Sequence, residues 1–361
     1  MNVRRLVVAL ATLATLAILP GPSGAGDVTL CEQSRQVVEA RGLQGVRVEN
    51  ARGRVRVVPS PDGRLHLSAV KFTTARPSSQ ATELAARTAV ETSTEGGRYV
   101  VRVRYPERQV VRVSLLRLLR GELDAPSVEV RLLLELPPGL TVELESTSGD
   151  FETSGLDGPQ TLKTTSGDIE VRDAASPVTI GTTSGDVSAS GLGRARVRSV
   201  SGDVAVGGVR GPLEVRTTSG EIEVSGDADS LKAWSVSGDI RVGGALRDLE
   251  AGTTSGNLLV TGPVSGAARV RTTSGDVQLR LGPAVRRADV NTVSGGIAVR
   301  LAAGLGCDLT LKSTGGRLEA AVPIQIHTMT RRELSGAVSG GGVPVSLHSV
   351  SGDITVSGGG R

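Results

Sequence analysis

Aspartate residues recur at one place in a repeated Ser-Gly-Asp motif, and they are the first candidates for chemistry. The column comprises Asp150, Asp168, Asp186, Asp203, Asp239, Asp276 and Asp353. Carboxylates in rows can bind Ca²⁺, but the roughly nine-residue spacing of calcium-binding β-rolls is missing here. The motif also supplies only one carboxylate per repeat. We therefore favour hydrogen bonding to backbone N–H groups at a turn, with a calcium-stabilised repeat protein as the alternative.

Acid and base groups do not cluster as an active site requires. His66, His327 and His348 are scattered, and the aspartates of the motif are spread one per repeat. Polysaccharide lyases and hydrolases need acids, bases or metal ligands gathered in one cleft. The sequence thus predicts no catalytic, cofactor-binding or metal-binding residue and no enzyme. A polysaccharide-acting β-helix enzyme remains the alternative.

Basic residues stand four positions before several of the repeated glycines, and one tryptophan shares their position. The basic residues are Lys163, Arg198, Arg216 and Arg271, and the tryptophan is Trp234. A solvated charged face is the favoured interpretation, and a binding stripe for an anionic polymer is the alternative. A single exposed Trp could stack on a sugar ring.

Two further features invite chemistry. Thr pairs such as Thr182-Thr183 suggest ice binding, but one Thr of each pair should point inward, which leaves a single outward column. Cys31 and Cys307 are the only cysteines. An oxidising compartment would permit a disulfide between them, although two free buried thiols are favoured.

The repeat itself predicts the elements that hold these residues. Glycines recur 17 to 21 residues apart from Gly149 to Gly316, and the last gap is 36 residues. They are Gly149, Gly167, Gly185, Gly202, Gly220, Gly238, Gly256, Gly275, Gly295, Gly316 and Gly352. Helical repeats and propeller blades need about 33 residues or more, so this period favours a β-solenoid. We expect the glycines to be positive-φ corners, and one degenerate turn to lie between Ala321 and Gly340.

Apolar residues alternate on both sides of each glycine, as in Val215 and Thr217 before Gly220, and Ile222 and Val224 after it. Such alternation places one face of each strand inside. The predicted fold is all-β: a right-handed parallel β-helix of about 18-residue coils, since parallel crossovers are overwhelmingly right-handed.

The chain before the array follows a looser pattern. Residues 46–57 resemble one coil with a turn at Gly53, and strands are predicted at 65–72, 99–105 and 128–136. Between them, Ala81, Leu84, Ala85, Thr88 and Ala89 share one helical face over 80–90. This helix is predicted to cap the open end of the solenoid. The segment 110–120 is expected to pack as a strand or helix, with a membrane-surface segment as the alternative.

Composition and the N-terminus point to export. Arg4 and Arg5 precede an apolar stretch over Leu6–Leu19, and small residues follow, which is typical of a secretory signal cleaved near Ala25. No later stretch is long and apolar enough to span a membrane. The net charge of +4 and five aromatic residues give no support for nucleic-acid binding. The predicted division is a signal peptide at 1–26, a β-rich lead-in at 27–145 and the solenoid at 146–361.

These motifs resemble one family. The recurring T-T-S-G-D-I/V, the Leu136-Pro137 entry and the closing Val350-Ser351-Gly352-Asp353-Ile354 resemble the DUF4097 β-strand repeat family, which is similar to the head domain of adhesin-like proteins. The resemblance implies a bacterial exported or envelope-associated β-helical protein. It implies no reaction and no cofactor.

The leading interpretation of function is therefore a structural or interaction module of the bacterial envelope that contacts a polymer or another protein. We expect a periplasmic, cell-surface or extracellular location, without nucleic acid and without a spanning segment after the signal.

Overall fold

The computed structural model describes residues 15–20, 28–75, 78–106 and 127–358. The chain forms two compact units, Met1–Val171 and Arg172–Arg361. Within the described ranges, no helix has the length and apolar character that a membrane crossing requires. Segment 110–120 and the predicted cleavage point near Ala25 lie outside the described residues. The predicted boundaries at 26/27 and 145/146 stay predictions.

Strands and one helix make up the described part of the first unit. In chain order they are β1 (Thr15–Pro20), β2 (Val28–Val38), β3 (Gly45–Asn50), β4 (Val55–Pro59), β5 (Leu65–Ala75), α1 (Ser78–Arg87), β6 (Ala89–Glu95), β7 (Arg98–Arg104), β8 (Ser127–Leu136), β9 (Thr141–Glu145), β10 (Phe151–Ser154), β11 (Gln160–Lys163) and β12 (Ile169–Arg172). The three strands predicted in the lead-in are confirmed as β5, β7 and β8.

The predicted coil around Gly53 is confirmed, and it lies between two later coils. Strand β3 pairs in parallel with β9 on one side and with β7 on the other. Strand β4 pairs in parallel with β10 and with β8. Beyond β7 and β8 the pairing becomes antiparallel, because β6 adds to β7, β5 to β8, β2 to β5 and β1 to β2. Parallel coils thus give way to an antiparallel layer.

Helix α1 rests on that antiparallel layer, against β5 and β2. Its predicted inner face is confirmed for Ala81, Ala85 and Thr88, which are 0%, 1% and 2% exposed. Lys71 Nζ donates to the carbonyl oxygens of Ala85 (3.3 Å) and Thr88 (3.1 Å), where the helix ends. A cation at a helix C-terminus satisfies carbonyls that lack a partner within the helix. The helix ends at Arg87, three residues before the predicted end at residue 90, and β6 begins at Ala89.

The second unit contains strands only, within its described residues. They are β13 (Val178–Gly181), β14 (Val187–Leu192), β15 (Ala195–Arg198), β16 (Val204–Arg216), β17 (Ile222–Ser235), β18 (Ile240–Val242), β19 (Leu246–Thr253), β20 (Leu258–Val264), β21 (Ala267–Ser274), β22 (Val277–Leu281), β23 (Arg287–Ser294), β24 (Ile297–Leu301), β25 (Cys307–Ser313), β26 (Leu318–Ala321), β27 (Ile324–Met329), β28 (Glu333–Val338), β29 (Val343–Ser349) and β30 (Ile354–Gly358).

Successive coils of this unit pair in parallel, which gives a β-solenoid-like fold. Ile222 is in register with Ile240, and Val277 is in register with Ile297. The inward columns are almost fully buried; Val215, Ile222 and Ile240 are each 0% exposed. Burying such a side chain contributes roughly 1.5–3 kcal/mol, so a core with few aromatics gains its stability from the number of columns. The right-handed winding stays a prediction.

The end of the second unit differs from the sequence prediction. No degenerate coil lies between Ala321 and Gly340; instead β27 and β28 form an antiparallel hairpin, and β28 pairs antiparallel with β25. The final strands, β29 and β30, pair in parallel with β23 and β24 on one side and with β25 and β26 on the other. The last coil in the sequence is therefore an inner layer, and the gap of 36 residues arises from this change of order.

The predicted reason for the corner glycines is wrong at most positions. Of this column, only Gly275 (149°) and Gly295 (158°) have a positive φ. The glycines are needed because neighbouring coils approach closely at the corner. A Cβ built on Gly238 would lie 2.0 Å from the carbonyl oxygen of Gly220, and one on Gly202 2.0 Å from that of Gly185. Only a residue without a side chain fits between two such corners.

Buried hydroxyls close most corners from within the coil. The N–H of Gly220 donates to Thr217 Oγ1 at 3.0 Å, and that of Gly238 donates to Ser235 Oγ at 2.8 Å. This explains why Ser or Thr stands three residues before the glycine on an otherwise apolar face, because a buried polar group needs a partner. Thr272 Oγ1 is an exception, because it has no partner within the described residues, and its corner glycine, Gly275, is one of the two with positive φ.

Candidate interaction face

The aspartate column links one coil to the next. Asp203 N–H donates to Asp186 Oδ1 at 2.9 Å, and Glu221 N–H donates to Asp203 Oδ1 at 2.8 Å. The same bond joins Arg317 N–H to Asp353 Oδ1 at 2.7 Å. Each carboxylate therefore accepts a backbone N–H that the change of direction at the corner would leave unpaired. The predicted hydrogen bonding to backbone N–H groups is confirmed, and it runs between coils.

Arg216 of the basic column forms its ion pair away from these carboxylates. Arg216 Nε lies 3.2 Å from Glu214 Oε1, on its own strand. Asp239 is approached instead by Arg241 Nη2 at 3.3 Å, from the strand that follows the corner. Arg198, Arg216 and Arg271 of the basic column are all exposed.

A Ser-Asp-His group in the first unit does not form a catalytic triad. Asp62 Oδ1 accepts from Ser60 Oγ at 2.9 Å and lies 2.8 Å from His66 Nε2. A triad needs His between the hydroxyl and the carboxylate, so that the imidazole takes the hydroxyl proton. Here Asp62 occupies the middle, and the bond with His66 is the main cause that holds its pKa below the ordinary value. The group closes a turn, and Ser60 Oγ contacts Asp62 rather than His66.

The other predicted site residues also stay apart. His327 lies on β27 and His348 on β29. Both Cys31 and Cys307 are free thiols, and burial raises the pKa of the Cys307 thiol. Among the described residues, no group of three or more His, Cys, Asp or Glu side chains is placed to hold a metal ion.

Strands β15, β16, β17, β19, β21 and β23 present one outward face of the second unit. The residues four positions before the corner glycines line up on it in register. We call this line the stripe; in stack order it is Arg198, Arg216, Trp234, Gly252, Arg271 and Asn291. Alternation places it outward, because the preceding residues Val215, Ala233 and Val270 are each 0% exposed.

A second line, two residues before the stripe, alternates in charge. We call it the charge row; it consists of Arg196, Glu214, Lys232, Glu250, Arg269 and Asp289 in stack order. Arg196 Nη2 lies 2.9 Å from Glu214 Oε2, and Lys232 Nζ lies 3.3 Å from Glu250 Oε2. Opposite charges on neighbouring strands stabilise a sheet and disfavour slipped pairings. The row has no net charge, whereas the charged groups of the stripe are all arginines, one of which, Arg216, also contacts Glu214 of the row.

The sequence reasoning missed the charge row, although the signal was available. Residues six positions before successive corner glycines change sign at every step from Arg196 to Asp289. Each residue alone resembles a solvated charge. The pattern emerges only when the coils are aligned and each position is compared across neighbouring coils.

Trp234 lies over a neighbouring glycine. It is half-buried, and its register partner in the next coil is Gly252. A Cβ at Gly252 would lie 2.4 Å from Trp234 Cζ3 and 2.7 Å from Cε3, so the glycine makes room for the indole. The ring thus spans two coils. Arg216 adjoins it on one side, and Arg271 follows Gly252 on the other.

A shallow groove of about 200 Å³ runs beside the charge row. Charged side chains line it, among them Lys232, Asp248, Glu250 and Arg269. The carboxylate of Asp248 is held in the groove by a hydrogen bond of 2.8 Å from the N–H of Ala267. This hydrogen bond is the main reason why the pKa of Asp248 is lowered. Small-molecule pockets usually enclose roughly 300–1,000 Å³. The groove therefore suits a chain lying along the face better than an enclosed small ligand.

The Thr pairs beside the corners present a single outward column, as predicted. Thr182 is buried, whereas Thr183 is exposed. Valines replace threonine at this position in several coils, and Val200, Val236 and Val293 are 44%, 47% and 48% exposed. One mixed Thr and Val column lacks the flat double row of hydroxyls that the ice-binding interpretation requires.

The repeats match a known protein family. A family model described as Toastrack DUF4097 matches residues 160–245 and 243–357. No curated protein matches the chain.

Among solved structures, one described as a "putative lipid binding protein" from Parabacteroides distasonis shares 13% identity, with 90% of this chain and 96% of that one covered and a TM-score of 0.35. A "putative adhesin" from the same species shares 11% identity, covering 91% and 97%, with a TM-score of 0.30. A "putative cell adhesion protein" from Clostridium sporogenes shares 10%, covering 91% and 100%, with a TM-score of 0.21.

Proposed function

This chain belongs to the Toastrack DUF4097 family, and from that premise we propose that it is a non-enzymatic, exported bacterial β-solenoid. It serves as an adhesin-like, envelope-associated interaction module, and its ligand is an anionic envelope polymer held along the stripe. The observation that carries this proposal is the line of Arg216, Trp234 and Arg271 on one outward face.

Charge favours an anionic ligand. Arg198 and Arg271 have no ion pair within the described residues, and both are exposed. Guanidinium groups bind carboxylate and phosphate oxygens in a bidentate fork. The neighbouring charge row is neutral as a whole, so the positive field of this face comes from the stripe.

Shape favours a polymer. Parallel strands lie about 4.8 Å apart, so the stripe offers binding groups at a regular interval along the stack. A ring over Gly252 provides an apolar surface between two arginines, which suits a sugar ring that carries acidic groups. Each contact is weak alone, and many repeated contacts along one chain give avidity.

The proposal includes the finer features of the fold and location. We propose a right-handed winding with coils of about 18 residues, supported by register partners such as Ile222 and Ile240. Export to the periplasm, the cell surface or the medium rests on the signal-like N-terminus. Fractionation of cells that produce the chain, with detection of the processed N-terminus, tests this part.

The tryptophan makes the polymer proposal easy to test, because the chain contains only one. We expect polygalacturonate and polyphosphate to change Trp234 fluorescence in a saturable way, and neutral dextran to leave it unchanged. Binding should weaken as salt rises, because the arginine contacts are screened. The double variant Arg216→Ala/Arg271→Ala should lower the affinity at least tenfold.

A matched control removes the same charge from other strands. Arg280 and Arg300 are exposed register partners on β22 and β24, which follow the corners. The variant Arg280→Ala/Arg300→Ala should bind like the parent chain. Equal losses of affinity in both variants would show that net charge alone controls binding. The absence of any saturable binding would refute the polymer proposal.

A further inference from the structure

The last coil of the second unit occupies a slot between two coils that precede it in the sequence. β29 lies between β23 and β25, with Leu347 in register with both Val290 and Leu311. β30 lies between β24 and β26. Chain order and stack order therefore differ, and the strand pair β29–β30 must enter a place whose two walls are built from earlier residues.

The slot recognises this strand pair through the same contacts that join all coils. Gly352 fits against the carbonyl oxygen of Gly295, where a Cβ would lie at 1.7 Å. Ser349 Oγ donates to Gly295 O at 3.2 Å, and Asp353 Oδ1 accepts from Arg317 N–H at 2.7 Å. Leu347 and Ile354 are 0% exposed. None of these contacts depends on which chain supplies the strands.

The connection to the strand pair has the character of a hinge. Ser339, Gly340, Gly341 and Gly342 link β28 to β29, and all four have positive φ, at 49°, 89°, 79° and 127°. Glycine adopts this conformation freely, and a serine does so only at a cost. Within the described residues, no later strand interlaces with β30. Within the part of the chain that the structure describes, the backbone joins the pair to its unit through one short, glycine-rich segment.

We propose that this strand pair is exchangeable between copies of the chain: β29–β30 of one copy fills the slot between β23–β24 and β25–β26 of a second copy. Exchange keeps every contact of the slot and changes only the path of the hinge, which is the condition under which domain swapping links protomers at low cost. The partner is a second copy because the slot selects the Ser-Gly-Asp corner and its flanking apolar columns. This assembly does not depend on the polymer proposal.

Hinge length provides the first test, using the full chain. Deleting Gly340 and Gly341 prevents β29 from turning back into its own slot, so we expect light scattering to show dimers or larger assemblies. Inserting two glycines after Gly341 relaxes the turn, and this variant should be more monomeric than the parent at the same concentration. A deletion variant that is monomeric and folded would overturn the proposal.

Cysteine pairing provides a second test that does not rely on altered hinge length. Thr310 and Ser346 are register partners on the neighbouring strands β25 and β29, so cysteines placed there can form a disulfide between the two strands. In a Cys31→Ser/Cys307→Ala background, one tagged chain carries Thr310→Cys and another carries Ser346→Cys, and the two are refolded together.

A disulfide between the two differently tagged chains is the expected result. A single chain carrying both substitutions is the control, because its internal disulfide shows that the geometry permits the bond. If the internal disulfide forms and the interchain disulfide does not form at any protein concentration, exchange does not occur and the proposal is wrong.

Discussion

Replacing a corner glycine should destabilise the stack strongly, and Gly238→Ala is the sharpest case. The added Cβ would lie 2.0 Å from Gly220 O, against about 3.4 Å for an ordinary contact, so the two corners must separate by more than 1 Å. The bond from Ser237 N–H to Thr218 O is 2.9 Å long and cannot survive that shift. Nor can the bond from Ile222 N–H to Asp239 O, also 2.9 Å long.

Each lost hydrogen bond costs about 1 kcal/mol, and residual strain adds about 1–2 kcal/mol. We expect the free energy of unfolding to fall by about 3–4 kcal/mol. Gly243→Ala is the matched control in the same coil, because its Cβ would meet only Val224 O at 3.9 Å. This control should be neutral or stabilising by up to about 1 kcal/mol, through lower entropy of the unfolded chain.

Urea unfolding followed through the fluorescence of Trp234 gives the measurement, because that residue lies four positions before Gly238. The comparison uses the shift in midpoint between the two variants, and circular dichroism at 218 nm, where β-sheet absorbs, checks that the whole unit is followed. If Gly238→Ala unfolds within about 0.5 kcal/mol of Gly243→Ala, close approach between coils is not the reason for the glycine column.

Three further predictions concern the acidic residues. Asp203→Ala should cost about 1 kcal/mol because Glu221 N–H loses its acceptor, whereas Asp203→Asn keeps the oxygen and should cost less than about 0.5 kcal/mol in the same urea assay. The pKa of Asp248 lies below its ordinary 3.8, chiefly because its carboxylate accepts from Ala267 N–H. Its stabilisation is therefore complete above about pH 5 and lost as the pH falls through the lowered pKa, and Asp248→Asn should flatten that fall in thermal unfolding between pH 5 and about 2. Chelation with EDTA should leave the melting temperature unchanged if the aspartate column stabilises the coils through hydrogen bonds alone. A clear drop in the melting temperature would favour the calcium alternative.

The sequence was most informative where the determinant is local. Alternation around Gly220 identifies the strands on both sides, and a face of Ala81, Ala85 and Thr88 identifies the helix, because side-chain periodicity reflects which face is buried. These features depend on residues that are neighbours in the chain. The all-β fold and the family follow from them.

Three other features could not be obtained in this way. The corner glycines looked like positive-φ residues because a single coil does not show the carbonyl oxygen above it, such as Gly220 O against Gly238. The insertion of β29–β30 before β25–β26 depends on pairing across many residues, which no local pattern encodes. The stripe was recognised as a column, but the indole of Trp234 over Gly252 could be found only from coordinates.

The interlacing at the end of the second unit bears on how such a chain can change in length during evolution. From β13 to β24, register partners follow one another in chain order, so a whole coil can be duplicated or lost there and its neighbours simply meet each other. Between β24 and β30 the same event would separate strands that must interlock, as β25 and β29 do. Natural variation in repeat number should therefore be confined to the central coils, while the terminal architecture is inherited as one block.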